Sequence, residues 1–196
     1  MMDIRIKNYL SWSQYSLFIR NPDEYRRVYI LGEPSFKNVE MDFGSKIANG
    51  LEQEDLTGDA EIDFCKVALP EVDEREKEIR VKFKNVPLLT RMDGFIKPNI
   101  IHEYKTGHNA WTQRKVNTFE QLTFYAFALF LQTNKIPEIS LFWIPTKKEN
   151  GVISLTGENP IEFKTKRGLS DFTRISKKIE KVWEGIGEMV EQELNN

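Results

Sequence analysis

Thr90-Arg91-Met92-Asp93-Gly94-Phe95-Ile96, a short Lys97-Pro98-Asn99 break and then Ile100-Ile101-His102-Glu103-Tyr104-Lys105-Thr106-Gly107 form the stretch on which the fold turns. Two runs rich in β-formers around a Pro-Asn break predict adjacent strands, about Val86 to Ile96 and Ile100 to Tyr104. Successive strand side chains point to opposite faces, so Glu103 and Lys105 share one face and Tyr104 takes the other. A three-residue loop at 97–99 pairs Ile96 with Ile100 and, counting outward, sets Asp93 opposite Glu103. Directly opposed residues lie on one face with Cβ atoms about 5 Å apart. A two-residue loop would shift that register by one. Two carboxylates so placed do not both ionise cheaply without a cation. A hard divalent ion, Mg²⁺ or Mn²⁺, with carboxylate, carbonyl and water ligands resolves the conflict. Lys105 could then hold or help deprotonate a water aimed at phosphorus, and stabilise charge developing on phosphoryl oxygens. The alternative for so short a pattern is an ordinary cross-strand ion pair on a solvated face.

Working outward, Ile79-Arg80-Val81-Lys82-Phe83 alternates apolar and charged residues and reads as a half-buried strand. Upstream, Ser11-Trp12-Ser13-Gln14 fits a capping box opening a helix, and Asn21-Pro22 ends that helix and can start another. A further helix is expected over about 41–54, with Phe43, Ile47 and Leu51 at helical spacing. Gly44 and Ala48 lie on its neighbouring strip, where small side chains allow close approach to a sheet. Another helix follows Thr57-Gly58-Asp59 and runs up to Leu69. Downstream, 119–132 reads as a buried helix, 139–145 and 152–163 as strands, and the region from about Ser170 as an amphipathic helix. Phe172, Ile175, Ile179, Val182, Trp183 and Ile186 mark its apolar face. The order argues for one mixed α/β domain spanning 1–196, a central mixed sheet flanked by helices.

With 196 residues, the chain can bury a sizeable core without staples. Its net charge of −2 does not advertise a nucleic-acid binder, though a local basic groove is compatible with it. Cys65 is the one cysteine; it excludes an internal disulfide and a four-cysteine zinc or iron–sulfur site, and inside Ile62-Asp63-Phe64-Cys65 it reads as a small core residue. No apolar run reaches membrane-spanning length, and Met1-Met2-Asp3-Ile4-Arg5 lacks the apolar region of a secretory signal. A soluble, cytoplasmic protein is the expectation.

Several segments, in order, match a known family. Leu10-Ser11-Trp12-Ser13-Gln14-Tyr15 with Asn21-Pro22 and Tyr25, Gly44-Ser45-Lys46-Ile47-Ala48-Asn49-Gly50-Leu51-Glu52, Met92-Asp93-Gly94, Glu103-Tyr104-Lys105-Thr106-Gly107 and Gln121-Leu122-Thr123-Phe124-Tyr125 together resemble the PD-(D/E)XK nuclease superfamily. The likeness is to its RecB-type exonuclease branch, in a single-domain phage or bacterial form. The resemblance implies a restriction-endonuclease-like α/β core and Mg²⁺- or Mn²⁺-dependent hydrolysis of DNA, with a role in recombination, repair or phage replication. It implies that Asp93, Glu103 and the backbone carbonyl of Tyr104 bind the metal and that Lys105 positions the attacking water. Gln121 and Tyr125, one helical turn apart, would reach DNA beside them. Thr118-Phe119-Glu120-Gln121 also fits a capping box, which gives Gln121 a second reading. Tyr125 is equally readable as a core residue.

Two departures stand out. Where the branch's first helix commonly carries a metal-binding histidine, this chain has Ala48, and Glu52 one turn on is the candidate replacement, or else a solvated helix carboxylate. Asn21 stands where relatives carry a cysteine, so no iron–sulfur cluster is expected. Of the two histidines, His102 and His108, the first should face away from Glu103 and be structural. Trp111, Arg114 and Lys115, together with Lys164, Lys166, Arg167, Arg174, Lys177, Lys178 and Lys181, offer a basic, aromatic surface for DNA phosphates and bases, or a solvated helix face. DNA is the implied partner, with room for a recombination, annealing or helicase partner protein. A structure-specific endonuclease, or a non-catalytic binding module on a decayed nuclease scaffold, is the alternative.

Overall fold

A computed structural model describes residues 7–195; the Met1-to-Arg5 segment considered above lies outside the described residues. In chain order the elements are β1 (Leu10–Ser11), α1 (Trp12–Arg20), α2 (Pro22–Tyr25), a π-helical turn (Arg26–Ile30), α3 (Val39–Leu51), α4 (Ala60–Ala68), β2 (Glu74–Phe83), β3 (Val86–Ile96), β4 (Ile100–Gly107), α5 (Gln113–Thr118), α6 (Glu120–Thr133), β5 (Glu138–Glu149), β6 (Val152–Leu155), β7 (Ile161–Lys166) and α7 (Leu169–Leu194).

Local chemistry sets the boundaries. Ser11 caps α1 by accepting the Gln14 N–H, but only half of the expected box forms, because the Gln14 amide turns to the Tyr9 carbonyl and the Ser11 hydroxyl. Asn21 ends α1 and caps α2, with Pro22 in the first turn where its missing N–H costs nothing. The expected strand over 152–163 is two strands. Gly157 at φ +85 and Pro160 interrupt it, so β6 pairs the outer part of β5 and β7 the inner part. The anticipated Thr118–Gln121 capping box does not form: Thr118 bonds back to the carbonyls of Arg114 and Lys115, closing the unanticipated short helix α5, and α6 starts at Glu120 without a side-chain cap.

The strands make one mixed sheet ordered β1-β3-β4-β5-β6, with β2 also on β3 and β7 also on β5. β4 and β5 run parallel, while β2–β3, β3–β4 and β5–β7 are antiparallel. Alternate residues of the sheet feed two cores. Ile101, Ile139 and Leu141 pack beneath α6 and α7 with Leu122, Phe124, Phe172, Ile175 and Ile179. Phe142 and Ile144 pack beneath α3 and α4 with Phe43, Ile47, Leu51, Ile62 and Cys65. Each such buried side chain contributes about 1.5–3 kcal/mol, so the apolar stripes of α3, α6 and α7 fix the helices on the sheet. Gly44 lets α3 lie close to β4, since a Cβ there would stand 3.3 Å from Thr106 Oγ1. No helix among the described residues is long and apolar enough to cross a membrane.

One feature of the pairing creates a gap. On one side of β3, parallel β1 takes Leu88 and Leu89, and antiparallel β4 takes only Gly94 to Ile96. Between them, at Thr90–Asp93, β3 has no strand partner on that side among the described residues. The sheet opens there, and the catalytic candidates of the sequence reading stand at the opening.

Candidate active site

The observed register Ile96↔Ile100, Phe95↔Ile101, Gly94↔His102 is the one a three-residue loop imposes, and Asp93 and Glu103 are the next pair along it. Beyond Gly94 the ladder stops. The N–H of Tyr104 donates instead to Asp93 Oδ2 at 2.6 Å, so the aspartate carboxylate spans the opening strands. Gly94 is small for a reason: a Cβ would stand 2.9 Å from both the Tyr104 hydroxyl and Val72 Cγ1.

Glu103 is 1% exposed. Its Oε1 meets two donors, the Lys105 ammonium at 2.5 Å and the Gln121 amide at 2.8 Å. The same amide reaches the Tyr125 hydroxyl at 2.9 Å. Glu103 Oε2 is buried and has no hydrogen-bond partner. Burial raises the Glu103 pKa, the Asp93 charge raises it further, and Lys105 works against both. Burial likewise raises Asp93, opposed by Lys105 and by the Tyr104 N–H. Burial disfavours the Lys105 ammonium, but the charges of Glu103 and Asp93 and the hydrogen bond to Glu103 outweigh it, so the lysine stays protonated above its ordinary range. It serves as a fixed positive charge, not as a ready base.

These groups line a cavity of about 430 Å³ between α3 on one side and α6 on the other. Ala48 and Glu52 of α3 reach its wall, as do Asp93, Glu103, Lys105 and Gln121. Glu52 lies at the exposed C-terminal end of α3. Tyr125 is 7% exposed and sits behind Gln121, off the lining. Sequence reasoning missed a further acid on this wall, Glu76 of β2, whose pKa is pushed up to about 7, chiefly by burial and then by the charges of Asp93 and Glu52. Its signal was masked by the unbroken charged run Glu74-Arg75-Glu76-Lys77-Glu78.

The donor set suits a hard divalent ion. Paired carboxylates and a backbone carbonyl are oxygen ligands, and the partnerless Glu103 Oε2 is a buried acceptor with nothing to accept from. Among the described residues no three His, Cys, Asp or Glu side chains converge into a ready-made cluster. Asp93, Glu103 and Tyr104 lie together on the cavity wall.

Other sequence candidates sit elsewhere. His102 faces away from the site, buried against the Phe142 ring, as expected. Arg114 and Lys115 are exposed on α5, and Lys115 Nζ stands 3.9 Å above the Trp111 ring, covering the face proposed for base stacking. Arg167 is corrected outright: it is 4% exposed and binds the carbonyls of Val116 and Phe119 and the hydroxyls of Thr123 and Thr165. It ties β7 to α5 and α6 and is not open to phosphates.

In sequence the chain matches no described family and no curated protein. In structure it is similar to a candidate exonuclease from Eubacterium rectale (TM-score 0.59, 11% identity, 95% of this chain and 82% of that one). It is similar also to an alkaline exonuclease from Laribacter hongkongensis (TM-score 0.58, 11% identity, 96% and 92%), and to that enzyme in complex with dAMP (TM-score 0.55, 11% identity, 94% and 91%). At this identity the likeness speaks for the fold: the chain has the mixed α/β fold of these exonucleases.

Proposed function

We propose that this chain is a Mg²⁺- or Mn²⁺-dependent deoxyribonuclease of the PD-(D/E)XK type, acting as an exonuclease in recombination, repair or phage replication. One observation carries the reading. A fully buried glutamate, Glu103, lies next to Asp93 in the register and lines the cavity, with one oxygen held by Lys105 and Gln121 and the other buried without a partner. An ordinary surface ion pair would be exposed and would leave no buried acceptor unsatisfied. The fold shared with exonucleases, one of them described with a nucleoside monophosphate, supports the substrate class.

In this reading Asp93, Glu103 and the Tyr104 carbonyl would hold the cation, which when bound polarises a phosphoryl oxygen and lowers the pKa of water. Lys105 holds the attacking water beside Glu103 and stabilises charge on the non-bridging oxygens. The water oxygen would form a bond to phosphorus in line with the breaking P–O bond of the leaving sugar oxygen, with the water's proton passing to bulk solvent and the sugar oxygen taking one up from it. Gln121 keeps the Glu103 carboxylate in one orientation, and Tyr125 steadies Gln121 from behind. The walls from α3 and α6 limit water around these charges and so strengthen them.

The test is cleavage of end-labelled linear single- and double-stranded DNA beside closed circles, with Mg²⁺, Mn²⁺ or EDTA. Release of mononucleotides from linear DNA, dependent on the cation, is the expected result. Cleaved circles would make the chain an endonuclease. Absence of any cleavage, with DNA binding intact, would make it a non-catalytic module.

A further inference from the structure

β2 runs antiparallel to β3 with Arg75 against Gly94 and Lys77 against Met92, so Glu76 lies opposite Asp93. Opposed residues share a face, and this brings a third carboxylate to the side of the sheet that carries Asp93 and Glu103. Three features of Glu76 are unusual for a strand residue. Its backbone sits at φ +48, a left-handed conformation that costs a residue with a Cβ about 1–2 kcal/mol and that concentrates at functional sites. Its side chain is only 24% exposed, yet the nearest basic partner is Arg91 at 3.8 Å, itself 58% exposed and shared with Glu78. It lines the same cavity as Asp93 and Glu103, across from α3 where Ala48 offers no ligand. A half-buried acid with so weak a cation partner is costly unless something else neutralises it. Glu103, which also lines that cavity, has a buried Oε2 without a partner and independently calls for a positive charge.

We infer that Glu76 supplies the carboxylate that completes a divalent-cation site with Asp93 and Glu103, in place of the side chain missing at Ala48. The inference rests on the nuclease reading above. Lys105 and one dication balance three carboxylates, which neither does alone. Glu76 fits the role better than Glu52. Its position is fixed by a hydrogen-bonded strand beside Asp93, whereas Glu52 lies at the exposed end of α3. Among the described residues the three carboxylates do not form a ready-made metal cluster, so they would have to close around the cation when it binds.

Mn²⁺ titration by calorimetry, without DNA, tests this, read beside the Mn²⁺-induced rise in melting temperature. Glu76→Gln is expected to weaken Mn²⁺ binding by about tenfold or more. It should abolish most of the thermal gain while leaving the metal-free protein as stable as wild type or more so. Glu76→Asp, which keeps the carboxylate and tolerates a left-handed backbone, should restore part of the affinity. Glu76→Asn is the second neutral variant should Gln impair folding. Glu52→Gln should bind Mn²⁺ as wild type does. Wild-type affinity in both neutral Glu76 variants overturns the inference, as does loss of affinity in Glu52→Gln alone; wild-type Mn²⁺ binding and DNA cleavage would leave the nuclease reading standing in either case. A wild-type protein that neither binds Mn²⁺ nor cleaves DNA overturns both.

Discussion

The Gln121 amide lies 2.8 Å from Glu103 Oε1, on the oxygen that Lys105 also approaches. Two donors on one carboxylate oxygen leave the other buried without a partner, and this fixes the orientation of the Glu103 carboxylate. Gln121→Leu keeps the helix and the volume but removes the amide, leaving Lys105 as the one donor that orients Glu103. Loss of such a supporting partner commonly costs about 10–100-fold in activity or metal affinity. Single-turnover cleavage by Gln121→Leu should fall within that range while DNA affinity changes little. A wild-type rate would return Gln121 to a packing role.

Lys105 is predicted to matter more for rate than for affinity. A fixed ammonium that stabilises developing charge acts mainly in the transition state. Lys105→Ala should lose about 10²–10³-fold in single-turnover rate, the usual cost of one preorganised electrostatic contact. Its DNA binding should weaken only slightly. Lys105→Arg should recover little, because the planar guanidinium does not reproduce a compact point charge against Glu103. Cleavage at the wild-type rate in Lys105→Ala would reduce the residue to an ion-pair partner.

Arg167 gives the opposite pattern. Its guanidinium satisfies the carbonyls of Val116 and Phe119 and the hydroxyls of Thr123 and Thr165, all in the interior. Arg167→Met removes these bonds, but the Val116 and Phe119 carbonyls keep the N–H groups of Phe119 and Leu122, and the Thr165 hydroxyl keeps Asn117. The cost in urea unfolding is therefore about 1–3 kcal/mol. At temperatures where both proteins are folded, DNA affinity and its salt dependence should match wild type. A reduced salt slope would instead place Arg167 among phosphate contacts.

The sequence made the centre of this site legible because strand geometry is periodic. Asp93, Glu103 and Lys105 follow from side-chain alternation and one loop length, and the structure keeps that register. What could not be read is what period does not encode. Glu76 sits in a run of five charged residues with no apolar alternation, and its left-handed backbone breaks the pattern locally. Arg167 looks like its basic neighbours in sequence; only the convergence of β7, α5 and α6 buries it. The same kind of tertiary contact removes one of the two readings of Gln121: its amide goes to Glu103 and no capping box forms.

The last prediction concerns pH. Glu76, pushed up to about 7, holds a proton in the folded protein that the unfolded chain, titrating near 4.5, has already released. Its stabilising contribution is therefore full below about pH 4.5 and is lost as pH rises to about 7. Glu103 and Asp93, raised by burial, act in the same direction. Buried His102, whose pKa is lowered by burial, acts oppositely below its ordinary value of 6.5. Carboxylates held low by partners, such as Asp59 beside Lys46, lose their contribution only as pH falls below the ordinary carboxylate value. The Glu76 share is isolated by subtraction: wild type minus Glu76→Gln in melting temperature should decline steadily between pH 5 and about 7.5 and be flat above. Saturating Mg²⁺ should flatten the decline, because a cation favours the ionised carboxylates and their protons leave on binding. Calorimetry in two buffers of different ionisation enthalpy should accordingly show proton release near pH 6 in wild type and less of it in Glu76→Gln. A difference curve without slope, with or without Mg²⁺, would mean that Glu76 is ionised and solvated throughout.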